Sequence, residues 1–218
     1  MRGGGLGLLL ALGAGGLLAG CVQDPARQAA TAAAAQAALR PSLDATLARL
    51  PEQAAGFTRG MTTDMEASQP GQGRAVDYST LARPGVAARA AIASVLVYDQ
   101  GQPPLRPDTP DSAITPRLDE GVAEATGPAP GRRMTESGRH VLAVPGGAPM
   151  QCAVLEGTYG RTAMWQQVCV GVAAGRYLKV FVAVPARQKA LLTEMDADLF
   201  TQTIAQAARG NAVTTAAN

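Results

Sequence analysis

The chain has 218 residues and a formal net charge of +2, from 19 Lys and Arg against 17 Asp and Glu. That balance offers no electrostatic case for nucleic acid. Aromatic residues make up 4% of the chain, which speaks against a surface of clustered rings for stacking sugars or bases.

The first informative segment is at the start. Arg2 precedes a leucine-rich apolar run over 6–18, which is too short for an ordinary transmembrane helix and ends in small residues. The run closes in Leu18-Ala19-Gly20-Cys21. These residues resemble the lipobox of a bacterial lipoprotein. The resemblance implies diacylglycerol on the Cys21 sulfur, cleavage before Cys21 and acylation of the new amino group. The membrane is then a partner through lipid, because acyl chains add about 0.8 kcal/mol of affinity per buried methylene. Gram-negative lipoproteins use an aspartate after the acylated cysteine for inner-membrane retention. Val22 stands there instead, which by analogy favours the outer membrane. No later segment reads as a bilayer span.

The domains expected are a signal peptide over 1–20, an alanine-rich tether with a short helix over 21–55, a globular body over 56–210 and a disordered tail over 211–218. Residues 22–40 bury little, because alanine favours helix without supplying an apolar face. They form a spacer, partly helical or disordered. Pro41 ends it, and Ser42 caps a short helix carrying Leu43, Leu47 and Leu50 on one face.

Strands are expected over 57–63, 75–81 and 91–98, separated by turns at Pro70-Gly71 and Pro84-Gly85. In the third, Ile92, Ser94, Leu96 and Tyr98 share one face, and Ala93, Val95 and Val97 the other. Prolines keep 101–111 irregular. Ser112 then caps a helix over 113–126 in which Ile114, Leu118, Val122 and Ala125 keep helical spacing, with Pro116 tolerated only in its first turn. A loop covers 127–133 and a short strand 140–144. Three alternating runs follow, over 150–157, 163–173 and 177–184, joined by glycine-containing turns as an antiparallel meander. A last helix over 187–209 carries Leu192, Met195, Leu199 and Ile204, with Gly210 as C-cap.

This is an α+β chain: a single antiparallel β-sheet of about six to seven strands packed by two helices, one of them C-terminal. The order β-β-β-α-β-β-β-β-α resembles the Mog1/PsbP-type α-β-α sandwich in element order alone. The resemblance implies a fold and no activity.

Besides Cys21 the exported chain has two cysteines, and export favours their oxidation. A turn centred on Gly160-Arg161 sets Cys152 directly opposite Cys169, in the close pair of a two-residue hairpin. A disulfide there contributes about 3 kcal/mol. Trp165 points to the side of Cys169, which makes it a core residue over the bridge rather than a ligand-contacting ring.

The one histidine, His140, is the first candidate for chemistry. A Ser-His-acid site has no GxSxG motif to place its serine. The acids Glu194, Asp196, Asp198, Asp119, Glu120 and Glu124 read as solvated helix faces. Arg132, Arg133 and Arg139 form a basic cluster in a loop beside His140, open to anionic lipid or an acidic partner, or simply solvated. No cofactor, metal or catalytic residue is expected. The reading is an envelope lipoprotein with a protein-interaction or assembly role. The alternative is a binder of a small ligand or lipid in a groove between sheet and helix.

Overall fold

The computed structural model describes residues 25–80, 91–189 and 194–211. The lipobox Leu18 to Cys21, Val22, the Pro84-Gly85 turn, Leu192 and the tail over 212–218 lie outside the described residues. In chain order the elements are α1 (Pro25–Leu39), α2 (Leu43–Leu47), β1 (Gln53–Ala54), β2 (Phe57–Asp64), β3 (Arg74–Thr80), β4 (Ile92–Tyr98), α3 (Asp111–Thr126), β5 (Arg132–Leu142), β6 (Met150–Tyr159), β7 (Thr162–Ala173), β8 (Arg176–Pro185), α4 (Ala186–Lys189) and α5 (Glu194–Arg209).

The strands form one antiparallel sheet in the order β1-β2-β3-β4-β8-β7-β6-β5. The chain is α+β, but the expected six to seven strands and two helices are corrected: the sheet has eight strands. The added strand is β1, whose two residues are too short to show any alternation. It folds back on β2 through Ala55 and Gly56, both at positive φ. The helical segments also exceed the expected pair, because α1, α2 and α4 join α3 and α5. Ser42 does cap α2, its Oγ accepting from the Ala45 N–H at 3.1 Å. Leu47, Leu50 and Ala54 are buried with the sheet, so packing reaches back beyond residue 56.

Two apolar layers cover the sheet. Side chains of Val76, Tyr78, Val95, Val97, Leu178, Val180 and Val182 meet α2 and α5 on one face. On the other, Ala153, Leu155, Val168, Val170 and Val172 meet Ile114, Leu118 and Val122 of α3. The faces of β4, β7 and β8 follow the alternation in their residues.

Three further expectations change. The loop at 127–133 and the strand at 140–144 merge into β5, an edge strand in which only Met134 and Leu142 are buried. Solvent on both sides of an edge removes the period-two signal. Helix α3 starts at Asp111 after Pro110, not after a Ser112 cap, so Pro116 lies beyond the first turn. The apolar stripe of α5 is rotated from the expected one: Ala197, Phe200, Thr201, Ile204 and Ala208 are buried, while Leu199 is 50% exposed.

Phe200 anchors α5. Its ring centroid lies 4.7 Å from that of Phe57 and 5.2 Å from that of Tyr78 in an edge-on arrangement. The Tyr78 hydroxyl donates to the Pro51 carbonyl at 2.8 Å, tying the entry segment to the core. At the far end of β3, Gly73 is obligatory, because at φ +70 an added Cβ would stand 1.8 Å from the Val97 carbonyl oxygen.

Burial pushes the Tyr78 hydroxyl from its ordinary 10.0 up to about 12. The unfolded chain therefore ionises first. The stability tied to neutral Tyr78 is full below pH 10 and is lost as pH rises toward 12. Urea unfolding at about pH 9 and about pH 11 should show a fall on the order of 1–2 kcal/mol from this group. Tyr78→Phe should lose less over that interval, and an undiminished loss in the variant would remove Tyr78 as its source.

Candidate functional site

The register of β6 against β7 is the one expected. Cys152 pairs with Cys169, and Tyr159 with Thr162, around Gly160-Arg161. The two cysteines form a disulfide with a Cα–Cα distance of 4.1 Å. Both are fully buried, and Trp165 packs in the same core. A bridge so buried is structural rather than redox-active. Replacing both cysteines by alanine should lower unfolding stability by about 3 kcal/mol, read from urea midpoints. Equal midpoints for the variant and the oxidised protein would show that the bridge adds nothing.

The four interaction candidates all fall on β5, but not as one patch. Arg132 turns back on the end of α3, donating from Nε at 2.9 Å and Nη2 at 2.6 Å to the Gly127 carbonyl. Arg133 is exposed. Arg139 bridges Glu136 at 2.6 Å and Asp119 of α3 at 2.7 Å. Hydrogen bonding to Glu136, then Asp119, holds the Arg139 guanidinium more firmly protonated than usual. The Arg139 guanidinium in turn draws the Glu136 carboxyl below its ordinary range.

His140 faces the other side of the sheet, toward α5. Its Nε2 lies 3.9 Å from Asp198 Oδ1, an ion-pair distance rather than a hydrogen bond. That same oxygen accepts from Gln167 Nε2 at 2.9 Å, and Gln167 Nε2 lies 3.1 Å from Cys169 Sγ. The fold thus gathers His140, Asp198 and Gln167 over the disulfide. Asp198 is oriented by Gln167, so the carboxylate has a structural partner already.

A second group was not legible in the sequence. It sits where β7 turns into β8 through Ala174 and Gly175, both at positive φ. Arg176 is buried there and donates from Nη1 to the Pro41 carbonyl at 2.6 Å. Asp99 forms ion pairs with both Arg176 at 3.4 Å and Arg40 at 3.2 Å. Burial, then the neighbouring Arg40, makes Arg176 easier to deprotonate than a free arginine. Beside them runs a cleft of about 400 Å³ between the end of α5 and the 146–148 turn. The charged residues lining it are Arg49 and Arg209, with no carboxylate. Arg209 donates from Nε to the Val172 carbonyl at 3.0 Å, while its Nη1 and Nη2 are buried with no hydrogen-bond partner. Burial lowers its proton affinity as well. These arginines come from segments far apart in the chain, so no local motif announces them.

No protein-family model matches the chain, and no curated protein matches it. The chain is similar to the solution structure of cyanobacterial PsbP (CyanoP) from Synechocystis sp. PCC 6803, at a TM-score of 0.38 and 12% identity. That likeness covers 69% of this chain and 92% of the other.

Proposed function

We propose that the chain is a lipid-anchored envelope lipoprotein whose folded body has a non-catalytic interaction or assembly role. The observation that carries this reading is Leu18-Ala19-Gly20-Cys21 closing a short apolar run behind Arg2. Val22 directs the anchor to the outer membrane, with the body facing the periplasm. Among the described residues no helix is long and apolar enough to cross a membrane.

The sheet supplies the interaction surface in this reading. Helix α3 packs on β5, β6 and β7. On the same face, further along the sheet, Ile92 is 53% exposed and Phe181 is half-buried. Asp77 and Ser79 on the neighbouring strand are exposed around them. Apolar side chains rimmed by polar ones suit a protein partner.

Two measurements test the parts separately. In detergent phase partition the protein should enter the detergent phase, and Cys21→Ser should move to the aqueous phase. A wild-type protein that stays aqueous would remove the anchor. For the surface, a photo-crosslinking residue at Ile92 should give a discrete adduct with an envelope protein in cells. The same residue at Ala123, exposed on α3, should not. Equal adducts from both positions, or none from Ile92, would remove the sheet face as the interaction surface.

A further inference from the structure

The cleft at the end of α5 holds positive charge that no carboxylate in its lining answers. Arg49 sits at its mouth, exposed, on the segment after α2. Arg209 lies in its wall with two guanidinium nitrogens buried and unpartnered. Arginine stays protonated at neutral pH even when burial weakens its hold on the proton. A buried cation without an acceptor costs free energy, and the low local dielectric strengthens its field in the adjoining space. The neighbouring Arg40 and Arg176 share Asp99, so no spare carboxylate remains in that cluster to neutralise the cleft.

The wall also has donors and room. Asn211 donates from Nδ2 to the Gly146 carbonyl at 3.2 Å, holding the 146–148 turn over the opening. Gly147 lies against Arg209 so closely that an added Cβ would stand 2.4 Å from Nη1. Arg209 Nη1 therefore lies directly behind this exposed glycine turn. Leu105, Pro107 and Val172 add apolar surface to the wall. A cleft of about 400 Å³ exceeds one small anion and admits a ligand with an apolar body.

We propose that this cleft binds a phosphomonoester group, either free or as the head of a lipid. Two arginines without a carboxylate match a dianion better than a single negative charge. The forked donors of arginine suit the oxygens of such a group. The site is independent of the proposed anchor and of the sheet face around Ile92.

The test uses the full lipidated protein in neutral detergent, with amide NMR shifts of Gly146, Gly147 and Asn211 as readout. The probes are inorganic phosphate, short-chain phosphatidic acid and short-chain phosphatidylcholine. Phosphate or phosphatidic acid should shift these amides saturably, and phosphatidylcholine should bind at least about tenfold more weakly than the better of them. Arg49→Glu, at an exposed position, should weaken binding about tenfold or more with its other amide signals unchanged. Arg209→Lys keeps a charge but loses the fork, and should weaken binding as well. Tighter binding of phosphatidic acid than of phosphate identifies the lipid head as the source; the reverse identifies the free anion. Shifts no larger than those from chloride at equal ionic strength overturn the proposal. So does unchanged affinity in Arg49→Glu.

Discussion

Strand β7 is buried on both faces. From Trp165 to Ala173 every residue is sequestered, and β8 beside it is nearly so. A strand in that position needs an apolar layer above and another below, because each buried valine or leucine is worth about 1.5–3 kcal/mol only when water is excluded. Helix α5 and the α2 segment supply one layer, and α3 supplies the other. The disulfide sits within this arrangement, fixing β7 to β6 in a register that turns the valines toward α3 and the cysteines toward α5. A slip by one residue would exchange those faces.

The cover is uneven, and the functional candidates follow from that. Helix α3 reaches β5, β6 and β7, so the part of its face formed by β3 and β4 is left with Ile92 outside. At the edge, β5 meets solvent along most of its length and is dressed with Arg133, Glu136, Arg139 and His140. Charges and the irregularity between Glu136 and Gly138 discourage another strand from adding there. Two of its arginines are consumed by this local order: Arg132 holds the end of α3, and Arg139 pairs with acids. Exposed pairs of that kind add at most about 1 kcal/mol each, so they shape the edge more than they stabilise it.

What could be read from the residues depended on how many faces of an element are buried. The meander from β6 to β8 was legible down to the Cys152–Cys169 pairing, since alternation and a two-residue turn leave one register. Strand β5 was not, because an edge with polar residues on both sides has no alternation to find. Helix α5 was legible at its C-terminal end but not in its start or its phase: the expected helix over 187–209 is α4 and α5. Its buried face uses alanines and a threonine around Phe200, residues that a search for leucines passes over. The arginine group was invisible for a different reason. Arg49 and Arg209 line one cleft, and Arg176 holds Pro41 beside it, only after separate segments converge on the β7–β8 turn.

The position of Arg209 shows how the fold tolerates that convergence. It occupies the last turn of α5, where the unpaired carbonyls carry partial negative charge equivalent to about half an electron. Its Nε also reaches the Val172 carbonyl across the helix–sheet seam. The helix end and this carbonyl therefore offset part of the buried charge, and Gly210 at φ +80 ends the helix immediately after it. The offset is incomplete, because the two terminal nitrogens point away from both acceptors' reach and find no others. Arg49 adds a second full charge beside the same helix end, its Nη1 3.0 Å from where a Cβ on Gly210 would stand, and it is exposed to solvent. Positive potential in the cleft is thus a consequence of how α5 is held on the sheet. Removing Arg209 to relieve it would leave Val172 without its donor and loosen the seam that α5 makes with β7.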